Sequence, residues 1–287
     1  MKENKIISKL EPAVRKSCDI DNTLYEKYDV KRGLRNADGS GVLVGLTNVG
    51  QVIGYKKEND KVVAVPGRLL YRGIEIEDIV AGFQKDQRHG FDETVFLLLT
   101  GKLPDAEELK EFSAYLASLR SLPDHFTKDM ILSMKGRDVL NILARSVLGL
   151  YTLDEHPDSI ALDNMIKQSL NLTAKFPTIV AYSYQALRHL YKGKTLSIRH
   201  PQPELTTAEN FLYLIKGDCN GFSKLEADLL DLLLVLHAEH GGGNNSTFTM
   251  RVTSSSETDI YSSVTSAIGS LKGPLHGGAN IRALEMM

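Results

Sequence analysis

The sequence predicts a mainly all-α, multi-helical fold with one small β-hairpin element near the N-terminus. Three observations carry this. From Glu75 onward apolar residues recur at helical spacing. Thr206-x-x-Glu209, Ser223-x-x-Glu226 and Ser254-x-x-Glu257 each match the capping-box spacing, in which hydroxyl and carboxylate satisfy orphan backbone N–H groups reciprocally. Residues 40–73 stand apart as a Val- and Gly-rich stretch with no such period.

Taken in order, residues 1–39 read as an N-terminal helical arm. Ile6, Ile7, Leu10 and Val14 are helically spaced, which suits a docked helix. Residues 40–73 read as two strands, with Glu58-Asn59-Asp60 as the turn between them. A helix then ends at Gly101, a suitable left-handed cap. Pro104 and the acidic residues after it restart a helix over 105–120. Further helices are expected over 124–134, 137–151, 158–175, 177–191, 207–216, 224–240, 257–271 and 277–287, with Pro177 opening one of them. Two of these, 137–151 and 224–238, are apolar nearly all round and must be covered on several sides. The 257–271 helix is rich in Ser, Ala and Gly, so it should approach other helices closely, within the chain or across a subunit interface. The chain ends on an apolar stripe, Ile281, Leu284 and Met287, without a capping residue, which reads as a chain stopped within a helix.

Composition narrows the function classes. The 287 residues are 42% hydrophobic and 24% charged, as in ordinary folded proteins. A net charge of −2 without a Lys/Arg run gives no sign of a nucleic-acid partner. The two cysteines, Cys18 and Cys219, have neither metal nor redox spacing and fit a reducing cytoplasm. The N-terminus lacks an apolar signal core, and the apolar run Leu229–Leu236 is too short to span a bilayer.

Two histidine patches carry candidate chemistry. In the first, His237-Ala-Glu-His240-Gly-Gly-Gly-Asn244-Asn-Ser246, the two histidines can share one helix face. Either their rings bond the last carbonyls of a helix capped by Gly241, or the glycines let backbone approach a ligand while Asn244, Asn245 and Ser246 supply donors. Zinc is a third reading, but it lacks a clear third ligand. The second patch is Gly273-Pro-Leu-His276-Gly-Gly-Ala-Asn280. It sets His276 where a helix begins. A helix N-terminus disfavours imidazolium, and a neutral imidazole there can donate a hydrogen bond to a carbonyl becoming an enolate. The alternative is a buried turn histidine.

The two patches, in this order and about thirty-five residues apart, resemble the citrate synthase family. Tyr71-Arg-Gly-Ile-Glu-Ile-Glu-Asp, Phe96-Leu-Leu-Leu-Thr-Gly-Lys-Leu-Pro, Phe176-Pro-Thr-Ile-Val-Ala-Tyr and Pro203-Glu-Leu-Thr-Thr-Ala-Glu-Asn-Phe-Leu look like further family segments, so the resemblance runs from about residue 40 to the end. It implies a citrate synthase-like large domain over 40–287, working as a homodimer on acetyl-CoA and oxaloacetate without cofactor, metal, nucleic acid or membrane. It implies that His276 is catalytic, hydrogen-bonding the acetyl carbonyl, and that His240 binds oxaloacetate. Asn244 and Ser246 would line the site, and His237 would be substrate-binding or structural. Gly241 departs from the acidic residue common after the second histidine. The family's second catalytic histidine, its proton-removing aspartate and its carboxylate-gripping arginines find no match before Met287, so the chain alone is expected to be inactive. A 2-methylcitrate synthase using propionyl-CoA and a non-catalytic dimeric scaffold are the alternatives.

Overall fold

A computed structural model of the chain describes residues 2–21, 23–28, 46–58, 61–216, 221–239, 241 and 243–286. Cys219, His240, residues 41–45 and the expected turn residues Asn59 and Asp60 lie outside the described residues. The chain divides into two compact units, 1–112 with 228–244, and 113–227 with 245–287.

In the first unit, α1 (Lys2–Ser17) buries Ile6, Ile7, Leu10 and Val14, so the arm is a docked helix. After the short α2 (Thr23–Lys27) come β1 (Gly50–Glu58) and β2 (Lys61–Tyr71), an antiparallel hairpin pairing Gly50 with Tyr71 and Glu58 with Lys61. A third short strand, β3 (Ile74–Glu75), was not anticipated; it pairs with the end of β2. Arg72 turns the chain between them at φ +50. Its guanidinium donates to the carbonyls of Leu98 and Ser17 and to Asn48 Oδ1, tying the ends of three segments together. Helices α3 (Ile76–Lys85) and α4 (Phe91–Thr100) follow. Gly101, at φ +78, ends α4 as expected, with its N–H on the Leu97 carbonyl. Tyr71, Ile79, Phe83, Leu97 and Val235 centre the core of this unit. The Tyr71 hydroxyl donates to the Val235 carbonyl, 2.8 Å.

Helices α5 (Ala106–Ser118) and α9 (Lys224–Leu236) contain residues of both units. At α5, Asp105 accepts from the N–H groups of Glu107 and Glu108, while Glu108 accepts from that of Asp105. This is a reciprocal cap formed by an Asp where the sequence reading sought only Ser or Thr.

The second unit holds α6 (Val139–Leu150), α7 (Leu162–Lys192), α8 (Thr207–Lys216), α10 (Asn245–Ser254), α11 (Ile260–Lys272) and α12 (Gly278–Met286). Ile142, Val147, Ile179, Leu214 and Ile268 belong to one core. Four expectations need correction. The segment over 124–134 is a π-helical stretch, Thr127–Ser133, rather than an α-helix. Pro177 opens no helix but lies inside α7, which runs through both helices expected there. A proline inside a helix costs about 3 kcal/mol. Here the burial of Ala174, Ile179 and Ala181, and the Thr178 hydroxyl bond to the Arg120 carbonyl, oppose that cost. The boxes at Thr206/Glu209 and Ser223/Glu226 form, but Ser254/Glu257 does not. The hydroxyls of Ser254, Ser255 and Ser256 bond back to carbonyls three residues earlier, closing α10. Asp259 caps α11 instead, accepting from Ser262 N at 2.8 Å. Finally, α10 itself was missed.

A buried polar cluster gives this unit a pH-dependent tie. The Tyr261 hydroxyl donates to Asp154 at 2.6 Å, and Gln168 Nε2 donates to the same carboxylate at 2.8 Å. Burial pushes the Asp154 carboxyl up, but the bonds from Tyr261, His156 N–H and Gln168 outweigh it and hold the group below its ordinary 3.8. A depressed carboxyl contributes stability above its unfolded value that is lost as pH falls through its folded one. Tyr261→Phe is expected to cost about 1.5–3 kcal/mol at neutral pH, as for a bond to a charged group. Its loss on acidification below 3.8 should be shallower than the parent's. Urea unfolding at neutral and acid pH measures both, and parallel pH curves would refute the assignment.

Among the described residues no helix is long and apolar enough to cross a membrane.

Candidate functional site

In the second unit, α11 ends at Lys272 and the chain folds back on the Gly273 carbonyl. That carbonyl accepts from the N–H groups of His276 and Gly277, both at 3.0 Å. Gly277 is required here, since a Cβ would overlap the carbonyl oxygen of Leu271. Helix α12 starts one residue later, so His276 sits in the turn just before it, half-buried. Its Nε2 lies 2.9 Å from the hydroxyl oxygen of Ser246, in the first turn of α10.

Two further contacts fix α10 against α11. Asn245 Nδ2 donates to Ser270 Oγ at 2.7 Å, and the hydroxyls of Thr253 and Ser266 lie 3.0 Å apart. The hydroxyl-rich face of α11 is thus used for close approach within the unit, as its small residues suggested. Sequence reasoning named Asn245 among the donors but not Ser270 as its partner. No spacing rule connects two residues twenty-five positions apart.

Ser246 and His276 are therefore brought together, as a hydroxyl–imidazole pair. If the hydroxyl donates, Nε2 is the acceptor and the ring proton resides on Nδ1. This leaves an N–H donor on the ring side directed away from Ser246. Removal of the hydroxyl in Ser246→Ala, worth about 1 kcal/mol, is expected to move His276 about fivefold toward the Nε2–H tautomer. Two-bond ¹H–¹⁵N correlation spectra of the imidazole read that ratio directly, and an unchanged ratio would dismiss Ser246 as the orienting group.

The other predicted residues fall in the first unit. Helix α9 ends at Leu236, short of the expected 240. The Nδ1 of His237 lies 2.7 Å from the Leu233 carbonyl, on an exposed side chain. This is the kind of contact that the helix-end reading of the patch describes. Gly241 takes φ +88, the left-handed conformation that favours glycine, and its N–H donates to Glu239 Oε1 at 2.6 Å. Asn244 is half-buried, immediately before α10. His240 is outside the described residues. Among the described residues no group of three or more His, Cys, Asp or Glu side chains could hold a metal ion.

The fold aligns with the crystal structure of citrate synthase from Pyrobaculum aerophilum at a TM-score of 0.71 and 30% identity, covering 88% of this chain and 60% of that one. A mainly helical body with a small antiparallel sheet is the architecture of this class of acyl-transferring enzymes. The family described as "Citrate synthase, C-terminal domain" matches residues 38–287, and the chain belongs to the citrate synthase family. Citrate synthase of Deinococcus radiodurans is 38% identical over 221 residues, covering 77% of this chain and 55% of that protein. 2-Methylcitrate synthase 1 of Corynebacterium glutamicum is 35% identical over 231 residues, covering 79% and 57%. The chain thus spans a little over half the length of these relatives.

Proposed function

We propose that the chain carries the acyl-CoA side of citrate synthase chemistry, condensing acetyl-CoA with oxaloacetate. The supporting observation is the Ser246–His276 pair at 2.9 Å. In this reading Ser246 holds the ring so that its free N–H meets the thioester carbonyl. Charge developing on that oxygen as the methyl loses its proton is stabilised by the donor. His240 would take oxaloacetate, with Asn244 and His237 beside it. Residues 40–287 would form the large domain, with 1–39 as an arm, and the protein would act as a homodimer.

Propionyl-CoA is the second reading, favoured by the comparable identity to 2-methylcitrate synthase. One extra methylene in a pocket is worth about 1–3 kcal/mol.

Titrating the 287-residue chain with a non-cleavable thioether analogue of acetyl-CoA tests the reading. The His276 ring signals should shift on saturation, and His276→Ala should abolish that response while retaining the fold by circular dichroism. Absence of any His276 perturbation at saturating analogue would refute it. A propionyl analogue binding more tightly would move the assignment to the second branch.

A further inference from the structure

On α7, Tyr184, Arg188 and Tyr191 fall at i, i+4 and i+7, one above the other on a single helix face. Both tyrosines are well exposed, 38% and 40%. The Arg188 guanidinium carbon lies 5.7 Å from the centre of the Tyr184 ring. Arg137, just before α6, stacks over Tyr191 at 4.2 Å. Aromatic rings and guanidinium groups therefore alternate along one exposed ledge, and Lys192 and Lys194 stand at its end.

The charge around the ledge is one-sided. Among the described residues none of Arg137, Arg188, Lys192 and Lys194 has a carboxylate within ion-pair distance. The neighbouring acid, Asp138, is engaged in capping α6 and pairs with Lys272 at 3.5 Å. No Asp or Glu occurs between Asp163 and Glu204. A protein with a net charge of −2 has here gathered uncompensated cations beside planar rings. No Lys/Arg run reveals this in the sequence, because the cations come from two separated segments that the fold brings together.

We propose that this ledge binds single-stranded nucleic acid, with bases stacking on the tyrosine and guanidinium planes and phosphates held by the arginine and lysine charges. Tyr184 and Tyr191 are about 10 Å apart along the helix axis, seven residues at about 1.5 Å each. A mononucleotide can use one of these platforms, whereas a strand of several nucleotides uses both.

Fluorescence anisotropy of the 287-residue chain with labelled oligo-uridine or oligo-thymidine of about 12 nucleotides tests this, at about 50 and 200 mM salt. The expected result is saturable binding that weakens with salt, and the ratio of the two affinities tells RNA from DNA. Tyr184→Leu and Tyr191→Leu should each weaken binding about tenfold, while the Phe variants retain it. Arg137→Gln and Arg188→Gln should each lower the log–log salt slope by about 0.7. The glutamine variants carry the test should a leucine variant fail to fold by circular dichroism. No saturable binding at the lower salt would overturn the proposal. So would binding indifferent to both tyrosines, or preferential binding of heparin or duplex RNA, since those outcomes describe a general polyanion surface.

Discussion

Replacing Asp231 with alanine is expected to lower the unfolding free energy by about 2–4 kcal/mol. Asp231 lies on α9 and is 2% exposed. Its carboxylate accepts from the N–H of Gly90 at 2.6 Å and of Phe91 at 3.2 Å, where α4 begins. Gly90 has no side chain to cap that helix, so a residue some 140 positions away supplies the acceptor. Alanine would strand two donors in the core of the first unit. A buried unsatisfied donor costs about 1–3 kcal/mol, and losing an N-terminal cap about 1 kcal/mol. Asparagine keeps one acceptor oxygen and should lose roughly half as much. Burial pushes the Asp231 carboxyl above its ordinary 3.8, against the downward pull of the two backbone donors and His89. A raised folded value favours the fold below the unfolded one, and that contribution is lost as pH rises through the folded value. Asp231→Asn should therefore flatten the stability–pH profile upward from 3.8. Urea unfolding with an unchanged slope measures these losses, and a loss below 1 kcal/mol for alanine would mean that water replaces the carboxylate.

This cap also marks where reading the sequence reaches its limit. Local rules worked where partners are close in the chain. Thr206 with Glu209 and Ser223 with Glu226 form reciprocal caps, and Gly101 closes α4. They failed where distant packing decides. Asp231 reads as a polar interruption of a leucine-rich helix, yet it is the cap of another helix. Pro177 reads as a helix start, yet burial around it carries α7 through. Helix α10 was missed because Asn-Ser-Thr-Phe-Thr-Met-Arg-Val-Thr-Ser is poor in strong helix formers. Its Thr249 and Thr253 hydroxyls bond carbonyls four residues back, and its first residue is tied to α11 through Ser270. The candidate site was legible in part for the same reason. His276 and Ser246 stood out as residue types beside glycine turns, but their direct bond depends on the packing of α10 against α11.

Substituting Leu229 and Leu233 with aspartate together is expected to convert a dimer into a monomer. The sequence of α9 is apolar nearly all round, which demands cover on several sides. In the single chain Leu225, Leu229 and Leu233, spaced four residues apart on α9, remain 66%, 51% and 51% exposed. Val235 and Asp231 point the other way and are fully covered. Isolated exposed leucines need no explanation, but a continuous row of them on one helix marks a surface that meets another. The proposed homodimer supplies the cover. In a twofold interface each substitution counts twice, so four buried leucines are lost. Each is about half exposed in the single chain, so docking recovers about half of the 1.5–3 kcal/mol of full burial, and the loss is on the order of 3–6 kcal/mol, or at least about a hundredfold in dissociation constant. The aspartates would add the cost of burying unpaired charge. Since both side chains are already half in water in the single chain, the variant should keep its far-ultraviolet circular dichroism. Sedimentation velocity at tens of micromolar should then give a dimer for the parent and a monomer for the variant. A monomeric parent would remove the dimer altogether, whereas a variant that still sediments as a dimer would place the interface on some other face than this leucine row.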